Sequence, residues 1–126
     1  MFQILTGFPE DVLAVSATGR IRAEDYDTVL APAVEAKMRA HRPLKAFFYL
    51  GPEFEGLKAG AMVEDLRLGL SHFRDWGRIA VVTDKAAMRD TVNLFAMFMR
   101  QPLKVFFNAD YDKAKAWIEE REAEAA

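Results

Sequence analysis

Apolar residues along the chain alternate between short dense runs and stretches where they recur every three or four positions. Ile4 and Leu5 read as a short first strand, and Val12 to Thr18 as a second, closed by Gly19. The Gly7-Phe8-Pro9-Glu10-Asp11 turn cluster between them makes the pair an antiparallel hairpin. A helix is predicted from about Ala23 to His41, with Tyr26, Val29, Leu30, Ala33, Val34 and Met38 at helical spacing. Its first turns carry Glu24, Asp25 and Asp27, which suit the positive end of the helix dipole. Pro32 should kink or split it near Leu30-Ala31, because proline lacks the N–H and crowds the preceding turn. Leu44 to Leu50 is a strand apolar on both faces, which fits a central position.

Gly51 to Gly60 reads as an irregular loop, followed by a helix over Ala61 to Arg74 with Met62, Val63, Leu66, Leu70 and Phe73 on one face, closed by Gly77. Arg78 to Thr83 is a strand, Ala86 to Arg100 a helix stopped by Pro102, and Val105 to Phe107 a last strand. Asp110 can cap a final helix with Tyr111, Ala114, Trp117 and Ile118 inward. Strands separated by helices imply parallel pairing through right-handed crossovers. The expectation is one α/β domain over residues 1–126. Its mixed five-stranded sheet has the first strand antiparallel, with Val12 to Thr18, Leu44 to Leu50 and Ile79 to Thr83 parallel and central.

Composition narrows the function. A formal charge of -2, with no basic stripe, argues against nucleic acid as a partner. With no cysteine there is no disulfide framework, thiolate metal site or cysteine nucleophile, and a reducing cytoplasm is compatible. The N-terminus lacks the basic and long apolar segments of a signal peptide. The longest strongly apolar run, Leu94 to Met99, is far short of the ~20 residues that span a bilayer.

No complete catalytic constellation stands out. The Gly51 to Gly60 segment lies where phosphate loops sit, yet lacks the Gly-Lys-Ser/Thr spacing and carries Glu53 and Glu55. It reads as a flexible connection, or as a hinge or lid with Phe54 as a plug. His41 and His72 read as helix-terminal surface residues, and Ser16 and Ser71 lack a nucleophile-elbow context. Asp84, at the end of a parallel strand, reads better as a helix N-cap than as a site residue. No cofactor or metal is expected, and an enzyme using Glu53, Glu55 or Asp84 is the weakest reading. The most informative feature is Met88 to Met99, apolar nearly all round toward its end. Met97 there, and Leu68 on the preceding helix, fall away from the core faces, flanked by Arg67, Arg74, Arg89 and Arg100. Such a patch suits a core or dimer contact, or a membrane surface.

The chain resembles the SpoIIAA-like family of bacterial proteins, whose fold is similar to STAS domains and the CRAL-TRIO lipid-binding domain. The matching pieces are Asp25-Tyr26 through Leu30-Ala31-Pro32, Phe47 through Phe54-Glu55-Gly56, Ala61 through His72-Phe73, Arg78 through Thr83-Asp84, and Ala114, Trp117 and Ile118. The resemblance implies a non-enzymatic protein with helices mainly on one face of the sheet. It also implies that the helix pair around Leu66 and Phe95 opens onto an apolar cavity, and the glycine-rich Gly51 to Gly60 loop with the Met- and Phe-rich third helix predicts a pocket lined by Leu66, Leu70, Phe95, Phe98 and Met99. The expected partners are a lipid or other apolar ligand, a peripheral contact at the inner face of the membrane, or a second copy of the chain. The alternative is an interaction module resembling an anti-sigma-factor antagonist. Its phosphoserine switch does not carry over, because Gly51 to Gly60 holds no Ser or Thr.

Overall fold

The computed structural model of the chain describes residues 1–71, 74–99 and 102–120, without the side chains of residues 66, 69 and 70. The first strand, β1 (Phe2–Ile4), pairs antiparallel with β2 (Val12–Ala17), Phe2 opposite Ala17. β2 pairs parallel with β4 (Leu44–Leu50), β4 with β6 (Trp76–Thr83), and β6 with β7 (Leu103–Phe106). The order β1-β2-β4-β6-β7 is the mixed sheet expected from the sequence. Each parallel crossover steps the same way across the sheet. Right-handed connections stepping one way place their helices on one face, and the packing agrees.

On that front face Leu13, Val15, Leu44, Ala46, Leu50 and Val81 join one apolar cluster with Tyr26, Leu30, Val34, Met38, Ala61 and Val92 from the helices. On the back face Val12, Ala14, Phe47, Ala80 and Val82 meet the last helix, α5 (Tyr111–Glu119), through Ala114 and Ile118. Two strand cations are buried on this face beside the end of α5. Lys45 Nζ donates to the Glu120 carbonyl at 2.9 Å, and Arg78 Nη1 to the Trp117 carbonyl at 3.2 Å. Both bonds meet carbonyls at a helix C-terminus, where cations are favoured.

The first helical run divides where Pro32 predicts. An α-turn, α1 (Ala23–Asp25), leads into a π-helical turn, Tyr26–Leu30, and then α2 (Ala31–Met38). The Ala31 N–H bonds to the Tyr26 carbonyl, five residues back. This wider turn accommodates a proline that offers no N–H to the preceding turn. Asp25 accepts the Arg22 N–H at 2.8 Å, fixing the start of the run.

The Gly51 to Gly60 loop is a correction. Phe54–Leu57 is a strand, β5, paired parallel with β3 (Gly19–Ile21) in a second, two-stranded sheet. Gly19 and Gly56 have φ of 66° and 116°, which side-chain-bearing residues rarely adopt, so the glycines that suggest a loop in fact permit the pairing. Gly77 lies within β6 and does not close a helix. The helix before it, α3, covers Ala59–Ser71, and α4 covers Ala86–Ala96. Asp84 does not cap α4, whose N-cap position is Lys85. Its carboxylate instead accepts the Asn108 N–H at 2.8 Å, tying β6 to the 3-10 turn before α5. Asp110 holds the N-cap position of α5 but makes no side-chain capping bond there.

Candidate functional site

A cavity of about 370 Å³ lies between the front face of the sheet and the helices. Phe48, Leu50, Ile79, Val81 and Leu103 form its floor. Tyr26 and Leu30 from the π-helical turn, Leu68 from α3, and Met88 and Val92 from α4 form its walls, with Phe54 of β5 at one side. Its size falls in the range of small-molecule sites, which are mainly apolar and carry few polar groups.

Asp65 is the one formally charged side chain among the described lining residues. It faces the cavity from α3, and the Tyr26 hydroxyl donates to its Oδ1 at 2.9 Å. Asp65 lines the cavity and is exposed to solvent, with protein on its helix side. Desolvation on that side raises its pKa above the usual aspartate value, and the hydrogen bond from Tyr26 opposes the shift. Tyr26 is itself buried, and burial, then the nearby Asp65 charge, pushes its pKa well up, so it remains a hydrogen-bond donor. Trp76 also lines the cavity. Its buried indole N–H has no hydrogen-bond partner among the described residues.

The placements of the sequence-predicted residues differ. Phe95, Phe98 and Met99 do line the cavity, with Phe95 and Phe98 at an exposed rim. Phe54 lines it too, and is 1% exposed within β5, packed into the core. The side chains of Leu66 and Leu70 lie outside the described residues. Leu68 points into the cavity, not outward. The cause is a different helix phase: Ala61, Asp65 and Leu68 face inward, while Met62 and Val63, expected in the core, are exposed. Met97 is outward, at 78% exposed.

Of the arginines expected to flank this patch, Arg67 and Arg89 are engaged within the chain. Arg67 pairs with Glu64 at 3.3 Å. Arg89 donates to the Thr83 carbonyl at 3.1 Å and stacks over Phe107, 3.6 Å from its ring centre. Arg74 is exposed, and Arg100 and His72 lie outside the described residues. Sequence reasoning missed Tyr26–Asp65. The residues are 39 apart, and the only local signal was an aspartate interrupting an apolar helix.

The architecture is a mixed-sheet α/β domain with an apolar chamber under its helices. The SpoIIAA-like family pattern matches residues 12–119, and the chain belongs to that family. Its fold is similar to that of an uncharacterized protein with a SpoIIAA-like fold, of the DUF3478 family, from Shewanella loihica PV-4. The TM-score is 0.75 and the identity 24%, over 93% of each chain. No curated protein matches the chain. Among the described residues no helix is long and apolar enough to cross a membrane.

Proposed function

We propose that this protein is a non-enzymatic binding module that takes an apolar small molecule into the chamber between the sheet and α3 and α4. The observation that carries the reading is the chamber itself, about 370 Å³ walled almost entirely by apolar side chains. A void of this kind forfeits packing contacts that a ligand would restore. The likeness of the family fold to CRAL-TRIO lipid-binding domains points the same way. Leu94, Phe95, Met97 and Phe98 stand exposed at the end of α4, next to the opening. They supply the surface through which the module meets a membrane or another protein while loading. With Arg67 and Arg89 engaged within the chain, that attachment is shallow and reversible.

Co-sedimentation with vesicles, followed by organic extraction and mass spectrometry of the purified protein, tests the reading. An extracted apolar compound and a ligand-dependent rise in Tm are expected. A ligand at 100 times its Kd should stabilise the folded state by about 2.7 kcal/mol. No extracted compound, and no Tm response to any apolar probe, would refute it. An empty chamber with a stoichiometric co-purifying protein would favour the interaction module instead.

A further inference from the structure

We infer that the molecule this chamber takes is an amphiphile whose polar head donates hydrogen bonds and carries no negative charge, with Asp65 as its acceptor. The inference rests on the chamber being a ligand site and names the chemistry of the head.

Three observations carry it. Among the described lining residues there is no Lys, Arg or His, so nothing there neutralises a carboxylate or phosphate head. Asp65, by contrast, places a carboxylate on an apolar wall that has no cation to match it. Asp65 is exposed to solvent in the empty chain; a ligand filling the chamber takes that solvent away, and a donor arriving with it removes part of the cost of burying the charge. Tyr26 fixes the orientation of the group. Its hydroxyl occupies Oδ1 at 2.9 Å, and an ionised carboxylate has acceptor capacity beyond that single bond. Tyr26 starts the π-helical turn set by Pro32, so the wider turn also positions the hydroxyl that holds Asp65. An ammonium head satisfies both charge and hydrogen bonding, a hydroxyl head only the second, and an anionic head neither. The raised pKa of Asp65 is consistent with a site that lacks its counter-charge when empty.

The test compares three probes of equal chain length, decylamine, decanol and decanoate, by isothermal titration calorimetry at pH 8. The amine should bind tightest and decanoate weakest, with about tenfold or more between them. In Asp65→Asn the amine should lose about tenfold, and its advantage over decanoate should vanish. Tyr26→Phe should keep the order of the three, because it frees an acceptor without removing the carboxylate. Equal affinities, or a preference for decanoate, would overturn the inference about the head while leaving the chamber a ligand site. No binding of any probe would overturn both. Should Asp65→Asn fail to fold, the ranking on the unsubstituted protein still decides.

Discussion

The two faces of one sheet are finished in opposite ways. The back face is closed by a single helix of nine residues and a run of rings. Phe8 lies 4.8 Å from Phe47, Phe47 5.2 Å from Tyr111, and Tyr111 5.1 Å from Tyr49 between ring centres. The front face receives three helical segments and still holds a chamber of about 370 Å³. The amount of cover does not decide whether a face is solid. The back face succeeds because bulky rings on strand and helix interlock, the edge-to-face contacts adding to the area they bury. On the front face Ala17 and Ala61 are small, and Phe95 and Phe98 lean outward to an exposed rim. Close packing is the ordinary condition of protein interiors, so a face that departs from it has been kept open at a cost in stability.

The largest test of this contrast is Phe47→Ala. Phe47 is fully buried in the solid face, so the change should cost about 3–5 kcal/mol, read from the midpoint of denaturant unfolding. A cost below about 1 kcal/mol would mean that the back face is not the rigid half. Next comes Val92→Phe, which adds volume to the wall of the chamber. Filling a void should raise stability by about 1 kcal/mol while abolishing uptake of decylamine. A loss of stability with uptake intact would show that the chamber is not where the ligand sits.

A smaller effect comes from Asp65. Its carboxyl holds its proton to higher pH in the folded chain than in the unfolded one, where the value is about 3.9. The folded state therefore binds more protons across that window. Stability is greatest below the unfolded value and falls as pH rises through the raised one. Asp65→Asn should flatten this descent, matching the parent at acid pH and exceeding it at neutral pH. Parallel stability curves for the two proteins would dispose of the argument. The smallest effect is expected for Met97→Ser, at an outward position of 78% exposure. Its Tm should correspond to a change within about 0.5 kcal/mol, while binding to vesicles weakens. Unchanged vesicle binding would remove this residue from the contact surface.

The central strands were legible because Ala46-Phe47-Phe48-Tyr49-Leu50 and Ile79-Ala80-Val81-Val82 are apolar on both faces, a pattern that few other environments produce. Pro32 announced its break for a purely covalent reason. The small sheet of β3 and β5 was not legible. Its strands are short, and Gly19 and Gly56 carry the same letters that mark loops; only the partner strand distinguishes a paired glycine from a free one. The phase of α3 was misread because Met62 and Val63 are more apolar than Ala61 and Asp65, yet the latter two face inward. Apolar pattern assumes a filled core, and it fails on the wall of a chamber that tolerates a small residue and a carboxylate. Phe95, Phe98 and Met99 line the cavity, and the excess of large apolar residues to which they belong was visible without any knowledge of the fold.

The bonds from Lys45 and Arg78 to the end of α5 bear on how the protein is made. Every strand of the large sheet precedes α5 in the chain, so a growing polypeptide can complete its sheet while Phe47, Ala80 and Val82 still lack their helix. Through that interval the half-built molecule shows the translation machinery a sticky apolar surface, the condition under which nascent chains aggregate or recruit chaperones. Docking of the last helix ends it, and the two cations anchor that helix at its far end, through the Trp117 and Glu120 carbonyls and an Arg78–Glu120 ion pair at 3.4 Å. A message broken before those codons would therefore yield a chain that has its sheet but can neither cover it nor give Arg78, already committed to its interior, the partners it meets on the last helix. Such a product is fit for degradation and not for partial activity.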